Sequence, residues 1–470
     1  MKEQLHRPAR RTGLVWVAVV FGVASVAAAQ PQGPLLPAAV KVSPGERPTI
    51  DGRVDDEIWK RAPVYDQFVQ QEPDAGQPAT ERTEVRLLHD EKAIYVSIVC
   101  FDSKPDAIIA TAMKRDADLN QTDSVQILFD TFNDGQNGFI FGTNPLAIEY
   151  DGQLSGEGGT SGFVRSQGTG GSTRGQVSGF NSNWDAVFTV AARKTERGWE
   201  AEFEIPFKTL RYSPGVDKTW GFNVMRNIRR KNEQVFLAAI PRGQSIYRAS
   251  LAAKVPGLSP PKRRDLGITP YALGSSTHDV TSSRTIKDDA VAAGLDFKWG
   301  ITPTLTADLT INTDFAQVEA DDQQIGLSRF ELFFPEKRAF FLENASLFQL
   351  GQPQQIDLFF SRRIGLSSSL VPVDIVAGAR LPGKLGRTNI GLLNMQTEET
   401  FDPRTGVRVA PANNFGVLRA QHEVRRSSFG AMFVNRQATG DGDGPWWDEG
   451  LRHDAGPGTE RDDAGRLPAG

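Results

Sequence analysis

Cysteine is almost absent from this chain. Cys100 is the only one among 470 residues. An intrachain disulfide is therefore excluded, and so is a zinc or iron–sulfur centre built on several cysteines. Cys100 lies in the apolar stretch 94–101, which predicts a buried, unreactive thiol. The fold must be held together by its own hydrophobic core.

Other absences narrow the functional class. The five histidines are scattered, and the sequence contains no H-E-x-x-H, G-x-S-x-G or Walker phosphate-binding motif. Lysine and arginine form no long runs and the net charge is −4, which argues against a nucleic-acid partner. Helical periodicity is scarce, whereas glycine is frequent at 46 residues. We predict an all-β chain, and its length favours two folded units.

Residues 1–29 have the order of a cleaved secretory signal peptide. A basic lead precedes an apolar run from residue 14 to residue 29, which ends in three alanines. The run is shorter than the ~20 residues that a membrane-spanning helix needs, and an uncleaved anchor is the alternative. We predict an exported protein, and the basic lead consists of Lys2, Arg7, Arg10 and Arg11.

Residues 41–258 alternate short apolar runs with turn residues, which is typical of a β-sandwich. A proline-rich linker is expected before them, at residues 31–40, and the Gly/Ser/Thr-rich stretch 152–179 is expected to form a long exposed loop. In the stretch 199–205, apolar residues alternate strictly with three glutamates, which predicts one solvated face. The candidate strands are residues 84–88, 93–101, 124–130, 137–143, 186–192, 199–204 and 220–226, with single helical turns at 55–61 and 207–211.

The sequence changes in character after the proline-rich residues 256–264. Two segments, 295–301 and 305–311, alternate apolar and polar residues and are joined by a tight turn. This pattern is typical of an outer-membrane barrel hairpin, and an amphipathic hairpin of a soluble protein gives the same pattern. We predict that residues 265–437 form a partial, truncated antiparallel β-barrel of outer-membrane type. Residues 438–470 are predicted to be a disordered or aberrant tail.

Three motifs in the first unit resemble family 9 carbohydrate-binding modules. The stretch 48–59 contains an Ile-Asp-Gly turn, an acidic pair and a tryptophan, as the start of these modules does. The stretch 123–130 resembles their central strand, and 198–207, followed by 220–223, resembles a late strand. The resemblance implies a β-sandwich that binds a polysaccharide or oligosaccharide.

Two stretches of the second unit, 312–321 and 334–344, resemble the uncharacterised domain that commonly follows this module in Gram-negative envelope proteins. That domain is thought to form an outer-membrane barrel. The resemblance implies that the second unit associates with the outer membrane and that the protein lies in the outer membrane or periplasm.

Sugar recognition uses flat aromatic faces with polar groups beside them. Trp184 is predicted to be exposed at one end of the glycine-rich stretch, whereas Trp59, Trp199 and Trp220 are predicted to lie in the core. The family's sugar clasp has a tryptophan shortly before the central strand, but residues 117–122 contain no aromatic residue, which is a departure from the family. The predicted carbohydrate-binding residues are Trp184, Tyr150, Asn183, Asn144, Arg86 and Arg226.

Five aspartates lie close together in the sequence, within or near the stretch 123–130. Carboxylate oxygens at this density could hold a structural Ca²⁺. Their spacing does not match an EF-hand loop, and aspartate is also an ordinary turn residue. No other cofactor and no catalytic residue is predicted. The five candidates are Asp116, Asp118, Asp123, Asp130 and Asp134.

The leading hypothesis is a carbohydrate-binding envelope protein linked to polysaccharide capture or catabolism at the outer membrane. One alternative is a glycoside hydrolase acting on O-glycosyl bonds, although residues 265–470 lack the alternating strand–helix pattern of a (β/α)₈ barrel. The other is an outer-membrane channel or transport component whose sandwich binds no ligand.

Overall fold

The computed structural model describes residues 33–154, 180–262, 266–279, 286–313, 336, 338–348, 351–352, 356–367, 373–401, 406–424 and 427–439. The predicted signal peptide, most of the glycine-rich stretch and nearly all of the predicted tail lie outside these residues. The described residues form a β-sandwich up to residue 258 and a second, antiparallel sheet from residue 266.

The strands of the sandwich are short, as turn-rich sequence predicts. They are β1 (Val40–Lys41), β2 (Val69–Glu72), β3 (Thr83–His89), β4 (Ala93–Phe101), β5 (Ser124–Asp130), β6 (Gly138–Thr143), β7 (Tyr150–Leu154), β8 (Phe180–Asn181), β9 (Thr189–Thr195), β10 (Gly198–Pro206), β11 (Lys218–Ile228), β12 (Glu233–Phe236) and β13 (Ala253–Leu258). Short 3₁₀ turns lie at Glu57–Arg61, Pro105–Ala107, Leu119–Gln121, Phe207–Thr209, Arg229–Lys231 and Ala249–Leu251.

The strands form two sheets that enclose one core. The smaller sheet has the order β1-β3-β4-β10-β9, and the larger has the order β2-β12-β11-β5-β6-β7-β8 with β13 beside β11. Ile127 and Phe129 of β5 meet Trp199 and Phe203 of β10 in a single buried cluster, because alternate side chains of a strand point to the same face. The predicted sandwich is confirmed.

Most of the predicted elements of the sandwich are present. The three tryptophans assigned to the core are at most 2% exposed, and Cys100 is fully buried. Two differences from prediction are larger than a shift of one or two residues. The strand expected at 186–192 is found as β9, which begins three residues later. At residue 186 the backbone N–H donates instead to the side chain of Asp151 (2.6 Å). Residues of the expected linker instead pair with β13, where the N–H of Leu36 donates to the carbonyl of Lys254 (2.9 Å).

Strand β10 departs from the predicted alternation between core and solvent. Glu202 is fully buried and Glu200 nearly so, because the first turn of the unit folds over them. Glu202 accepts hydrogen bonds from the backbone N–H groups of Asp51 (3.1 Å) and Gly52 (3.0 Å) and from the indole of Trp59 (2.9 Å). These donors replace solvent, so the prediction that the glutamates face water is wrong for this pair.

The second unit is built around one antiparallel sheet. Its order is β14-β15-β16-β19-β20-β23-β24. Its strands are β14 (Leu266–Asp279), β15 (Ile286–Thr302), β16 (Leu305–Thr313), β17 (Gly351–Gln352), β18 (Ile356–Asp357), β19 (Ile375–Leu385), β20 (Thr388–Thr397), β21 (Thr400–Phe401), β22 (Arg408–Ala410), β23 (Asn413–Val424) and β24 (Ser427–Ala438). Helix α1 (Ala339–Leu342) and 3₁₀ turns at Ala345–Phe348 and Ser361–Arg363 accompany them.

The predicted hairpin of the second unit is confirmed as β15 and β16, with Phe297 opposite Leu309. Within the described residues the sheet is open, since β14 and β24 occupy its two edges and are not paired with each other. The partial barrel therefore stays a prediction, whereas the antiparallel all-β architecture is confirmed.

The two faces of the second sheet differ in character. One face packs against α1 and the turn that follows it, and Phe341 and Phe348 meet Leu393 and Met395 there. The other face exposes a row of apolar side chains that includes Leu309, Ile311, Leu392 and Leu418. No helix in the described ranges has the length and apolarity needed to cross a membrane.

Candidate functional site

The larger sheet of the sandwich carries an aromatic cluster on its outer face, the face turned away from β10. Tyr150 of β7 and Tyr247, from the segment that covers this face, place their hydroxyl oxygens 3.1 Å apart. The ring of Phe180, in β8, stacks on Tyr247 with centroids 4.2 Å apart and lies 6.4 Å from the Tyr150 ring. Both tyrosines are half-buried, so each remains partly open to solvent.

Two glycines in the sheet make room for this cluster. A Cβ atom at Gly152 would lie 2.3 Å from the Phe180 ring, and one at Gly142 would lie 2.8 Å from the side chain of Leu119. Gly142 is the direct neighbour of Tyr150 in the adjacent strand. A glycine within a strand permits such close approach, so here it lets the covering residues lie directly on the sheet.

The polar groups around the tyrosines favour protonated hydroxyls. Burial raises the pKa of Tyr150 well above its usual value, and contact with Tyr247 and the charges of Asp116 and Asp118 act in the same direction. Burial also raises the pKa of Tyr247. Both phenols therefore keep their protons at neutral pH. One proton is used in the hydrogen bond between the two hydroxyls, so the pair has one O–H donor left for a ligand, together with acceptor lone pairs.

A buried amide completes the arrangement. Gln126 of β5 lies opposite Gly142, so it is in the same row of the sheet as Tyr150. Its side-chain oxygen is buried and has no hydrogen-bond partner among the described residues, which is an unfavourable state that a ligand or water donor would relieve. We call this group the tyrosine site; its members are Asp116, Asp118, Gln126, Tyr150, Phe180 and Tyr247.

Trp184 does not lie at this site. It is 7% exposed, and its ring packs against Phe139 (5.2 Å between centroids) and Phe141 (6.4 Å) between the two sheets. The prediction that Trp184 is exposed is therefore wrong. The preceding asparagines make the stretch look polar in sequence, but the indole occupies a core position because its neighbours Ala186 and Phe188 do the same.

Two further predicted ligand contacts have structural roles. Arg226 is fully buried and donates to the backbone carbonyls of Arg82 (3.0 Å) and Phe101 (2.7 Å), so it joins the two sheets. Asn144 is also fully buried and donates to the carbonyl of Ala112 (2.8 Å). Neither side chain is available to a ligand in this structure.

The remaining two predicted contacts lie elsewhere on the sandwich. Arg86, on the smaller sheet, pairs with Glu84 at 2.9 Å, so it is in the sheet opposite the one that carries the tyrosine site. Asn183 donates its side-chain amide to the carbonyl of Glu336 in the second unit (3.2 Å). Of the six predicted carbohydrate contacts, only Tyr150 belongs to the tyrosine site.

The five predicted calcium ligands are not assembled as one site. Within the part of the chain that the structure describes, no group of three or more His, Cys, Asp or Glu side chains could hold a metal ion. The aspartates satisfy backbone donors instead: Asp123 accepts from Ile109 (2.8 Å), and Asp130 accepts from Gly135 (2.8 Å). Asp118 caps a 3₁₀ turn. The remaining two are Asp116, which accepts weakly from the N–H of residue 151, and Asp134, which binds Lys384 of the second unit.

Sequence reasoning missed Phe180, Gln126 and Tyr247. The segment that contains Tyr247 has no strand periodicity, so its position over the sheet depends on tertiary packing. Glycines at 142 and 152, inside otherwise apolar strands, were the available signal, because a strand glycine often marks close approach of another group.

Two known families match separate parts of the chain. Residues 50–236 match the carbohydrate family 9 binding domain-like family, and residues 260–377 match a domain of unknown function (DUF5916). Both resemblances found in the sequence are thereby confirmed at the level of the domain. No curated protein matches the chain.

Two of the similar solved structures are family 9 carbohydrate-binding modules from Caldicellulosiruptor kristjanssonii. The complex with cellotriose is 18% identical, with 47% of this chain and 94% of that chain covered and a TM-score of 0.31. The complex with glucose is 16% identical, with 48% and 95% covered and a TM-score of 0.32.

Proposed function

We propose that the sandwich binds a carbohydrate at the tyrosine site. The observation that carries this proposal is the pair of half-buried tyrosines, with hydroxyls 3.1 Å apart, in a unit that matches the carbohydrate family 9 binding domain-like family. The absence of the family's aromatic residue before β5 fits a site in which Tyr150 and Tyr247 supply the aromatic surface instead.

The chemistry of the site suits a sugar ring. The partly open tyrosine rings offer apolar surface to the C–H groups of a pyranose, and the hydroxyls and carboxylates offer partners for sugar hydroxyls. The oxygen of Gln126 adds a buried acceptor. A sugar hydroxyl that reached it would satisfy a group that the described residues leave without a partner.

Isothermal titration of the purified chain with cellotriose and glucose, followed by a glycan array, tests the proposal. Tyr247→Ala removes one aromatic surface and one hydroxyl and is expected to lower affinity by at least about tenfold, since one lost polar and packing contact costs over ~1.4 kcal/mol. Phe401→Ala is the matched control, because this exposed aromatic lies in the second unit. Unchanged binding by Tyr247→Ala would overturn the assignment of the site.

The same preparation distinguishes binding from hydrolysis. Release of reducing ends from a bound polysaccharide would favour the glycoside hydrolase alternative. Recovery of the intact polysaccharide supports a role in capture, upstream of a separate catabolic enzyme.

We also propose where the protein is located. The signal peptide at residues 1–29 directs export, and the second unit associates with the outer membrane. The apolar row on the outward face of the second sheet, with Leu309 and Ile311 about half exposed, supports contact with lipid. Cell fractionation and N-terminal sequencing test this; the expected result is outer-membrane protein beginning after Ala29. Recovery of the uncleaved chain in the cytoplasm would contradict it.

The outward apolar face also favours a second candidate, an outer-membrane channel or transport component. In that case the sandwich would bind no glycan on the array although the chain fractionates with the outer membrane. Binding at the tyrosine site decides against this candidate.

A further inference from the structure

The second unit sends one short segment onto the edge of the sandwich. This docking segment, which we define as Glu336 and residues 338–344, includes helix α1. It lies within the motif that identified the second unit in the sequence. Several of its contacts fall on β7 and β8, the two strands that carry Tyr150 and Phe180.

The contact with β7 is a reciprocal amide pair. The side chain of Gln153 donates to the side-chain oxygen of Asn344 (2.9 Å) and accepts from the backbone N–H of Asn344 (3.0 Å). Asn344 has a φ of 54°, a left-handed conformation that asparagine tolerates better than most residues. The pair therefore fixes the end of β7 through two bonds from a single side chain.

The contact with β8 uses two further asparagines. Asn181 donates to the carbonyl of Leu342 (3.1 Å), and Asn183 donates to the carbonyl of Glu336 (3.2 Å). Asn181 is buried by this contact. These three sandwich side chains therefore bind the docking segment through amides.

Strand β8 needs this support more than any longer strand would. It is two residues long, lies at the sheet edge and is held by two register pairs with β7, so its own ladder supplies little stability. Phe180 is one of its two residues, and its ring is the one that stacks on Tyr247. The position of this ring in the tyrosine site consequently depends on how β8 is held.

The docking segment is itself firmly anchored in the second unit. Glu343 pairs with Lys298 of β15 and Arg380 of β19, and across the interface with Arg211 of the sandwich. Arg338 and Glu336 form a buried pair at 2.7 Å. Because the docking segment is held by ion pairs to both units, it can fix the position of the adjacent short strand β8.

We propose that the docking segment orders the tyrosine site by holding β7 and β8, with Gln153 and Asn181 as positioning residues. The ligand site then belongs to both units, although its contacting residues all lie in the sandwich. This inference rests on the proposed function for its effect on sugar binding, but the ordering of the two strands is independent of any ligand.

Gln153→Ala in the full chain tests the inference. Backbone amide hydrogen exchange is expected to rise about tenfold or more at residues 150–154 and 180–181, while exchange in β4 and β10 stays unchanged. Affinity for cellotriose is expected to fall several-fold. Asn394→Ala is the matched control, since it removes a comparable amide pair with Asn414 (2.9 Å) in the second sheet, away from β7.

A second variant separates the side chain from the backbone. Asn344→Gly suits the left-handed φ and removes the acceptor for Gln153, so it is expected to reproduce the local rise in exchange. Unchanged exchange in β7 and β8 in both variants overturns the inference, and so does faster exchange with undiminished affinity. If the unmodified chain binds no glycan on the array, the proposed function fails, whereas the exchange data still decide whether the segment orders these strands.

Discussion

Two buried carboxyl groups of the sandwich and two of the second unit have pKa values shifted in opposite directions. In the sandwich, burial raises the pKa of Glu202 to about 7, and it raises the pKa of Asp151 to about 7 as well. In the second unit burial also acts on Glu336, but the contact with Arg338 prevails and holds its pKa below the usual value. Glu343 behaves in the same way, because three cations surround it.

These four carboxyl groups will respond to acid with opposite sign. Glu202 and Asp151 have folded-state pKa values above their unfolded values, so the folded sandwich holds extra protons and gains stability as the pH falls from about 7 toward 4.5. Glu336 and Glu343 have lowered pKa values, so their stabilisation is complete above their unfolded values and is lost as the pH falls below about 4.5.

The largest expected loss of stability comes from a substitution in the sandwich core, and it contrasts with a substitution on the outward face of the second sheet. Phe129→Ala, at a fully buried site between the two sheets, should lower the free energy of unfolding by about 3–5 kcal/mol because it leaves a cavity. Leu309→Ala, on the outward face of the second sheet and 47% exposed, should cost under ~1 kcal/mol in detergent-free solution. Urea denaturation followed by tryptophan fluorescence checks both, and equal losses would refute the assigned difference between the faces.

A slightly smaller effect is expected from the buried ion pair of the second unit. Glu336→Ala leaves the Arg338 guanidinium buried without its carboxylate, which should destabilise the unit by about 3 kcal/mol. Glu399→Ala is the control, since its pair with Arg408 is about one-third exposed on both sides and should contribute under ~1 kcal/mol. Chemical denaturation measures both losses. Equal losses in the two variants would show that burial does not determine how much an ion pair contributes to the free energy of unfolding.

The expected change in the pH dependence of sandwich stability is smaller than the two effects above. Glu202→Gln removes one titrating group, so the rise in sandwich stability between pH 7 and pH 5 should become shallower, by at most ~1.4 kcal/mol per pH unit. Denaturation midpoints across this range provide the measurement, and an identical slope in wild type and Glu202→Gln would contradict the raised pKa.

The smallest effect is expected at the tyrosine site. Tyr247→Phe removes one hydroxyl from the pair with Tyr150 but retains the ring stacked on Phe180, so stability should fall by about 0.5–1.5 kcal/mol. The same substitution should weaken sugar binding less than Tyr247→Ala does. Thermal denaturation with calorimetric titration tests both expectations, and a loss of binding equal to that of the alanine variant would mean that the hydroxyl, not the ring, dominates.

The sequence was sufficient for the sandwich because its strands follow simple alternation. Residues 93–101 and 124–130 were predicted with the bounds that the structure has, since both runs are apolar and end at turn residues. The error at Glu202 has a clear cause: alternation separates the two faces of a strand, but it cannot say whether solvent or another part of the chain covers the outer one.

The candidate site was much less predictable. Tyr150 was identified from its place beside the glycine-rich stretch, but Tyr247 comes from an irregular segment about one hundred residues later, and only tertiary structure joins the two hydroxyls. Trp184 was mispredicted in the opposite direction. Its neighbours in sequence are polar, but its side chain lies in the core. Asn183 was predicted to contact a carbohydrate, whereas in the structure its side chain donates to the second unit.

The pairing of residues near the start of the sandwich with its last strand also determines when the unit can fold. The N–H of Leu36 binds the carbonyl of Lys254, and the N–H of Ala39 binds that of Pro256. Contacts between residues so distant in sequence slow folding, because a long loop must close before they form. β13 is the last strand of the sandwich along the chain, so the residues around Leu36 and Ala39 cannot make this pairing until it is in place. Closure of this edge is therefore a late step in the folding of the sandwich.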